Sequence, residues 1–109
     1  MTSIPEIDVE SVKNLIDSDE EVFILDVRET EEFELTNIGG TLIPLGELPD
    51  RLAELGEHRD SRVVVLCRTG GRSAQAVSFL LGCGFSKAVN MRGGVHAWSD
   101  KIDSSVIKY

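Results

Sequence analysis

A cysteine set between an apolar run and a loop rich in arginine and glycine is the feature of this sequence most suited to chemistry. Cys67 follows Val63–Leu66, four consecutive apolar residues that are typical of a buried strand. The apolar spacing over residues 73–81 predicts a helix, so the chain turns sharply between the two elements. This turn brings backbone N–H groups and the positive end of a helix dipole to the thiol. The loop consists of Arg68, Thr69, Gly70, Gly71, Arg72 and Ser73.

Such a loop favours an anion, and the Cys67 thiol is the group in it that can become one. Gly70 and Gly71 permit the dihedral angles of a sharp turn. We expect the loop geometry, together with Arg68 and Arg72, to lower the pKa of the thiol below its free value of about 8.5. The alternative is that Cys67 is a small buried residue and the glycines only make a turn. The two arginines and the helix start favour the reactive thiolate.

Composition limits the remaining possibilities. The chain has 109 residues and is 41% hydrophobic, which predicts one compact domain over residues 1–109 with a core that needs no disulfide or metal. A net charge of −8 argues against binding to nucleic acid or to anionic membranes. No apolar run approaches the roughly 20 residues of a membrane span, and the acidic N-terminus lacks the plan of a signal peptide. We therefore expect a cytoplasmic protein.

The second cysteine and the two histidines do not suggest a disulfide or a metal site. A helix between Cys67 and Cys83 would separate them by about 16 Å, whereas a disulfide needs Cα atoms within about 7 Å. Cys83 is therefore interpreted as a packing residue rather than a second reactive thiol. His58 and His96 are interpreted as surface or packing residues, and no metal is expected.

Strand-like and helix-like segments alternate along the chain, which predicts an α/β layer fold with a mainly parallel sheet. Strands are expected over residues 4–7, 22–25, 41–43, 63–66 and 88–91. Asp8 and Thr30 are expected to cap the first two helices. Further helices are expected over residues 48–55, 73–81 and 94–98, followed by an irregular tail over residues 99–109.

Parallel strands bring their carboxyl ends to one edge of a sheet, where the sites of open α/β folds lie. We expect Asp26 and Arg28 at this edge beside Cys67. The favoured interpretation of this pair is a structural ion pair that braces the loop, with direct substrate contact as the alternative. Gly93 and Gly94 indicate a tight turn that starts a helix. A solvated helix face is the simplest interpretation of four acidic residues, Glu29, Glu31, Glu32 and Glu34.

Several motifs, in the same order along the chain, together resemble a rhodanese domain. They are Leu25-Asp26-Val27-Arg28-Glu29, Glu32-Phe33, the segment from Ile38 to Pro44, Cys67–Ser73, and the segment from Gly84 through Asn90-Met91-Arg92-Gly93-Gly94 to Trp98. One departure is Gly39-Gly40-Thr41, where many rhodaneses have Gly-His-Ile. The segment over residues 37–49 and the C-terminal residues are similar to the rhodanese modules fused behind adenylyltransferases.

The resemblance implies a three-layer fold, with a five-stranded parallel sheet and helices on both faces. It implies a sulfurtransferase in which Cys67 carries a sulfane sulfur as a persulfide, surrounded by the loop from Arg68 to Ser73 and using no metal or organic cofactor. The implied partners are a small anionic sulfur donor, such as thiosulfate, and a sulfur-carrier protein or a cysteine desulfurase.

Two other functions remain open on the same fold. A rhodanese-related cysteine phosphatase or arsenate reductase also uses a thiolate beside an arginine. In the active-site loop typical of those enzymes, five residues separate the cysteine from the arginine, whereas four residues lie between Cys67 and Arg72. The shorter loop favours the sulfurtransferase. A non-catalytic docking domain is the third possibility, and the presence of Cys67 with its loop argues against it.

Overall fold

The sheet places the carboxyl end of its central strand at the predicted site. A computed structural model describes residues 4–109. Its five strands lie in the order β1-β5-β4-β2-β3, and every neighbouring pair is parallel. The strands are β1 (Glu6–Ile7), β2 (Phe23–Asp26), β3 (Thr41–Leu42), β4 (Val63–Leu66) and β5 (Ala88–Met91).

Four α-helices lie between successive strands and a fifth follows β5: α1 (Val9–Asp17), α2 (Thr30–Leu35), α3 (Leu48–Arg51), α4 (Gly71–Gly82) and α5 (Gly94–Lys101). The helix expected over residues 48–55 is instead α3 followed by a 3-10 segment, Leu52–His58, and another 3-10 turn, Leu45–Glu47, precedes α3. Among the described residues, no helix is long and apolar enough to cross a membrane.

The two faces of the sheet are covered by different helices, which confirms the expected three layers. Val63 and Val65 of β4 pack in one core cluster with Val77 and Leu80 of α4. The intervening Val64 and Leu66 face the other way, into a cluster that contains Val9 and Val12 of α1 and Val95 and Trp98 of α5. All four residues of β4 are buried because side chains alternate between faces and both faces are covered.

The caps of the first two helices differ in how well the sequence predicted them. The Asp8 carboxylate accepts the Ser11 N–H at 2.8 Å, so the expected cap of α1 is confirmed. Thr30 is not the cap of α2, because it is already the first helical residue and Glu29 holds the capping position. The Glu29 N–H donates to the Glu32 carboxylate at 3.0 Å. A glutamate three residues along thus satisfies a backbone donor at this helix start.

The irregular tail begins later than the sequence suggested. Ser99 and Asp100 belong to α5, which continues to Lys101. The prediction that the irregular tail starts at residue 99 was therefore wrong. The segment after the helix is packed against the rest of the chain. Val106 is 7% exposed within the second core cluster, and its carbonyl accepts the Ser99 hydroxyl at 2.7 Å. Burial of apolar Val106 holds this segment on the fold without regular secondary structure.

Candidate active site

Cys67 lies directly after β4, the strand paired with both β5 and β2. The residue is 1% exposed. Its Sγ atom accepts the Gly70 N–H at 3.1 Å and lies 3.3 Å from the Ser73 hydroxyl. The loop therefore wraps around the sulfur atom and leaves little of the residue exposed.

The surroundings of the thiol favour its ionised form. Burial raises the pKa of Cys67, but hydrogen bonds from the Ser73 hydroxyl and from the backbone N–H groups of Ser73, Gly70 and Thr69 outweigh it. The pKa of the thiol consequently lies below its ordinary value, as the sequence predicted. These donors stabilise negative charge on sulfur more than they stabilise the neutral thiol.

The arginines are not the main cause of this shift, although the sequence led us to expect a contribution from them together with that of the loop. Arg72 donates two hydrogen bonds to the Glu32 carboxylate, at 2.6 and 2.8 Å. The Arg68 guanidinium lies over the Tyr109 ring, 5.2 Å from its centroid, and Arg68 Nε is 3.3 Å from His96 Nε2. Each arginine therefore has a partner other than the thiol, and backbone and hydroxyl donors dominate the environment of the sulfur.

Only the first of the two loop glycines has a conformation that requires glycine. Gly70 has φ = +117° and precedes the first residue of α4, whereas Gly71 has no positive φ and belongs to the helix. A residue with a Cβ atom is strained at that φ. This turn directs the Gly70 N–H toward Cys67 and starts the helix.

Asn90 is a part of the site that the sequence analysis missed. Its side chain is buried in β5, where Oδ1 lies 2.6 Å from the Ser73 hydroxyl and shares its single proton with the Cys67 sulfur, and Nδ2 donates to the Gly70 carbonyl at 3.2 Å. Asn90 thus holds two residues that contact the Cys67 sulfur. The available signal was an amide inside an otherwise apolar strand, because buried polar groups need partners.

Glu32 also belongs to the site. The interpretation of the acidic residues of α2 as a wholly solvated face was therefore wrong. Besides Arg72, its carboxylate accepts the Tyr109 hydroxyl at 2.6 Å. Hydrogen bonding by Arg72, opposed by burial and assisted by Tyr109 and the Glu29 N–H, lowers the pKa of Glu32 to about 2. Its position in an acidic helix concealed this role. Tyr109 was also missed. The sequence signal for it was the apolar residue Val106 nearby, which indicates that the C-terminal tail packs against the fold.

Asp26 and Arg28 form a buried ion pair, which supports their interpretation as a structural brace. Their side chains are 1% and 0% exposed, and Arg28 Nη2 lies 2.7 Å from Asp26 Oδ2. Arg28 also donates to the Thr36 carbonyl at 2.8 Å and to the Tyr109 hydroxyl at 2.9 Å. The pair therefore ties the end of β2 to the segment after α2 and to the C-terminal residues.

The start of α5 holds the first residues of the active-site loop. The N–H groups of Val95 and His96 donate to the carbonyls of Cys67 and Arg68, at 3.0 and 3.1 Å. Gly94 has φ = +58°, and a Cβ atom there would press against both carbonyl oxygens, 2.6 Å from that of Arg68. Glycine is therefore required for this close contact between helix and loop.

We expect Gly94→Ala to destabilise the fold by about 1–3 kcal/mol, because it adds backbone strain and displaces the loop. It should also slow alkylation of Cys67 at neutral pH by disturbing the hydrogen bonds to sulfur. Urea denaturation and iodoacetamide kinetics measure the two effects. Gly46→Ala is the matched control, since a Cβ atom there meets nothing within 4 Å. Equal stability of the two variants would contradict this account.

Alkylation should reveal the lowered pKa of Cys67 directly. In a Cys83→Ser background, which leaves one cysteine, the iodoacetamide rate should have its midpoint below the free-thiol value of about 8.5. Ser73→Ala should move the midpoint to higher pH, because it removes the strongest hydrogen-bond contribution to the thiolate. A midpoint at the ordinary value, or one insensitive to Ser73, would disprove this explanation.

The other residues considered for disulfide or metal chemistry lie apart. Cys67 and Cys83 are both free thiols, and His58 stacks on Phe23 with ring centroids 4.0 Å apart. His96 is more than a surface residue, because it lies beside Arg68 and Tyr109. Within residues 4–109, no group of three or more histidine, cysteine, aspartate or glutamate side chains is placed to hold a metal ion.

A separate cavity of about 590 Å³ lies near the start of β2, away from the loop. It is lined by residues that include Ile16, Phe23, Ile38, Glu57 and His58. Because Phe23 begins β2, this cavity lies toward the amino end of the strand, opposite the carboxyl edge that carries Cys67. No cysteine lines it. The thiol chemistry therefore assigns the candidate site to the loop rather than to the cavity.

Comparison with known proteins agrees with this geometry. The chain is 42% identical over 103 residues to a Bacillus subtilis protein named "Putative sulfur carrier protein YrkF", of which it spans only 55% while the match covers 94% of this chain. It is 36% identical over 97 residues to a sulfurtransferase of Allochromatium vinosum, with 88% of this chain and 89% of that protein covered. A maize protein named "Adenylyltransferase and sulfurtransferase MOCS3-2" is 38% identical over 97 residues, which are 84% of this chain and 20% of that protein.

A solved structure and a family profile give the same assignment. The crystal structure of a rhodanese-like domain protein from Staphylococcus aureus superposes with a TM-score of 0.82 at 34% identity, covering 91% of this chain and 95% of that one. The profile of the rhodanese-like domain matches residues 8–101, which include every strand from β2 to β5 and the whole Cys67 loop. The chain therefore belongs to the rhodanese-like domain family.

Proposed function

We propose that this protein is a sulfurtransferase that carries a sulfane sulfur as a persulfide on Cys67. The observation that carries the proposal is the Cys67 sulfur itself, which accepts the Gly70 N–H at 3.1 Å and lies 3.3 Å from the Ser73 hydroxyl. This arrangement favours a thiolate, the form of cysteine that attacks sulfur. Relatives named sulfurtransferase support the same class of reaction.

The first half-reaction transfers sulfur from a small anionic donor. With thiosulfate, the Cys67 thiolate attacks the outer sulfur, a new S–S bond forms, and the old one breaks with its electron pair leaving on sulfite. Three negative charges enter this step and three leave it, one on the persulfide and two on sulfite. In the second half-reaction an acceptor nucleophile takes the outer sulfur and restores the thiolate. This sequence is covalent catalysis with a ping-pong pattern.

The loop supplies the electrostatic part of the proposed mechanism. Backbone N–H groups and the Ser73 hydroxyl, which favour the thiolate, would also favour the persulfide anion that replaces it. Asn90 keeps Ser73 and Gly70 in place through the hydrogen bonds described above. Since the thiolate and these donors provide the chemistry, we propose that the reaction uses neither a metal nor an organic cofactor.

Intact-mass measurement after incubation with a donor tests the proposal. The protein should gain the mass of one sulfur atom on Cys67 with thiosulfate or with a small persulfide, and dithiothreitol should remove it. Cys83→Ser should gain the same mass, whereas Cys67→Ser should not. A failure of every donor to modify Cys67 while the thiol is still alkylated by iodoacetamide would reject the persulfide mechanism.

We further propose that the physiological acceptor is a sulfur-carrier protein with an activated C-terminal Gly-Gly tail. The similarity to the adenylyltransferase-linked module supports this class of acceptor. A thin glycine tail suits a thiol that is 1% exposed. The net charge of −8 favours a basic partner face, which would chiefly raise the association rate.

Mass spectrometry on the carrier tests this assignment. Persulfidated protein mixed with adenylylated carrier should attack the acyl-adenylate through the outer sulfur, release AMP and form an acyl disulfide between the carrier and Cys67. Dithiothreitol added afterwards should reduce this disulfide to carrier thiocarboxylate and the Cys67 thiol, itself becoming oxidised. Persulfidation by a cysteine desulfurase can be measured in the same assay as an alternative donor. Transfer to cyanide or dithiothreitol without transfer to any carrier would restrict the function to generic sulfur transfer.

A further inference from the structure

Three arginines lie near the Cys67 loop, and two of them are neutralised by carboxylates. Arg28 is paired with Asp26, and Arg72 is paired with Glu32, while Arg68 packs on the Tyr109 ring. We infer that Glu32 determines donor specificity: by holding Arg72 it keeps that cation from the donor, so that the site prefers monoanionic to dianionic sulfur donors. This inference rests on the proposed sulfurtransferase function and names the class of donor.

Glu32 is held in a fixed position by four hydrogen bonds from three residues. One carboxylate oxygen accepts from Arg72 at 2.6 Å and from the Glu29 N–H at 3.0 Å. The other accepts from Arg72 at 2.8 Å and from the Tyr109 hydroxyl at 2.6 Å. A carboxylate with this many donors keeps its charge and its orientation at neutral pH. It therefore holds the Arg72 guanidinium in a bidentate pair.

Arg72 is close enough to the reacting sulfur for its pairing to matter. It precedes Ser73, whose hydroxyl contacts the Cys67 sulfur. Arg72 is the second residue of α4, in the first turn of the helix that encloses the thiol, and a negative charge on Cys67 helps Glu32 to raise the pKa of its guanidinium. Without its carboxylate partner, Arg72 would be available to a negatively charged donor beside the thiol.

A matched pair of donors separates charge from sulfur chemistry. Thiosulfate is a dianion that leaves as sulfite, whereas the methanethiosulfonate anion has the same kind of S–S bond but one charge fewer and leaves as methanesulfinate. In both cases the thiolate forms one S–S bond, and the broken S–S bond gives its electron pair to the leaving group. Two negative charges enter and leave with methanethiosulfonate, against three with thiosulfate. The dianion therefore depends more strongly on a free cation near the thiol.

Glu32→Gln is expected to release Arg72 for donor binding. The amide oxygen of glutamine still accepts hydrogen bonds, but its side chain carries no charge to hold the guanidinium. We expect KM for thiosulfate to fall by about tenfold, the scale of one charge-assisted hydrogen bond, with kcat nearly unchanged. KM for methanethiosulfonate should change much less. The gain for thiosulfate should shrink at high salt, since exposed charges are screened.

Glu31→Gln is the matched control, because Glu31 lies exposed in the first turn of the same helix and the substitution removes the same charge. A readout that does not require sulfur transfer completes the test. Anionic iodoacetate and neutral iodoacetamide both alkylate the Cys67 thiolate, so the ratio of their rates in a Cys83→Ser background reports how well the site admits anions. Glu32→Gln should raise this ratio several-fold, and Glu31→Gln should leave it unchanged.

The outcomes distinguish the inference from the function on which it rests. An unchanged iodoacetate ratio, or a thiosulfate KM that falls equally in both variants, would overturn the role of Glu32. A higher ratio in Glu32→Gln alone, with neither donor able to persulfidate Cys67 in any variant, would support the electrostatic role and reject the proposed sulfur transfer. A higher ratio together with a selective gain for thiosulfate would support both.

Discussion

Replacing Cys67 by serine is expected to reduce sulfur transfer by on the order of a thousandfold or more, because the variant lacks the nucleophile of a covalent mechanism. A hydroxyl stays protonated at neutral pH and cannot form a persulfide. The fold should persist with a loss of about 1 kcal/mol, since serine is similar in size and the Gly70 N–H still has an oxygen atom to bond. Thiosulfate:cyanide transfer rates and urea denaturation measure the two quantities.

Cys83→Ser provides the control for this experiment. Cys83 lies at the end of α4, at the opposite end of the helix from the Cys67 loop. It is partly buried and packs against the first core cluster, so its substitution should lower stability modestly while retaining most activity. An inactive but folded Cys83→Ser protein together with an active Cys67→Ser protein would show that the wrong thiol has been assigned.

Arg28→Ala is expected to cause the largest loss of stability, about 3–5 kcal/mol, because it leaves the Asp26 carboxylate buried without its cation. The guanidinium of Arg28 donates to both oxygens of Asp26, at distances from 2.7 to 3.1 Å. Its loss also removes a donor to the Thr36 carbonyl. Urea denaturation of the variant against the wild-type protein at pH 7 measures the effect.

Arg51→Ala is the matched control for Arg28→Ala, since Arg51 also contacts carboxylates but lies on the surface. Its partners Glu47 and Glu54 are more than half exposed, and Arg51 itself is 36% exposed. Exposed ion pairs contribute about 1 kcal/mol or less. If Arg28→Ala costs no more than Arg51→Ala, the buried pair does not brace the fold as described.

The sequence predicted the framework of this protein well because that framework depends on local patterns. The apolar runs at residues 63–66 and 88–91 coincide with β4 and β5, and their parallel arrangement followed from the alternation of strands and helices. Helix ends were less accurate. The segment over residues 48–55 divides into an α-helical turn and a 3-10 segment, which apolar spacing does not distinguish.

The sequence also predicted the position of the thiol and the part of the loop in lowering its pKa, but it overstated the part of the arginines. The strand, cysteine, glycine loop and helix follow one another directly, so the contact between Gly70 and Cys67 joins residues only three positions apart. The arginines were expected to act on the thiol because they are its sequence neighbours. Their actual partners come from elsewhere in the chain, and nearness in sequence does not reveal them.

By itself, the sequence determined the local parts of the protein: the buried strands, the turn at Gly70, the Asp8 cap and the thiol at the end of β4. Tertiary structure decided which charged and polar side chains pair. Glu32 meets Arg72 across 40 positions, and Arg28 meets Tyr109 across 81. Apolar periodicity follows from backbone geometry within a few residues, whereas a charge has many candidate partners of opposite sign. Only the folded arrangement of β2, α2, α4 and the C-terminal segment selects among them.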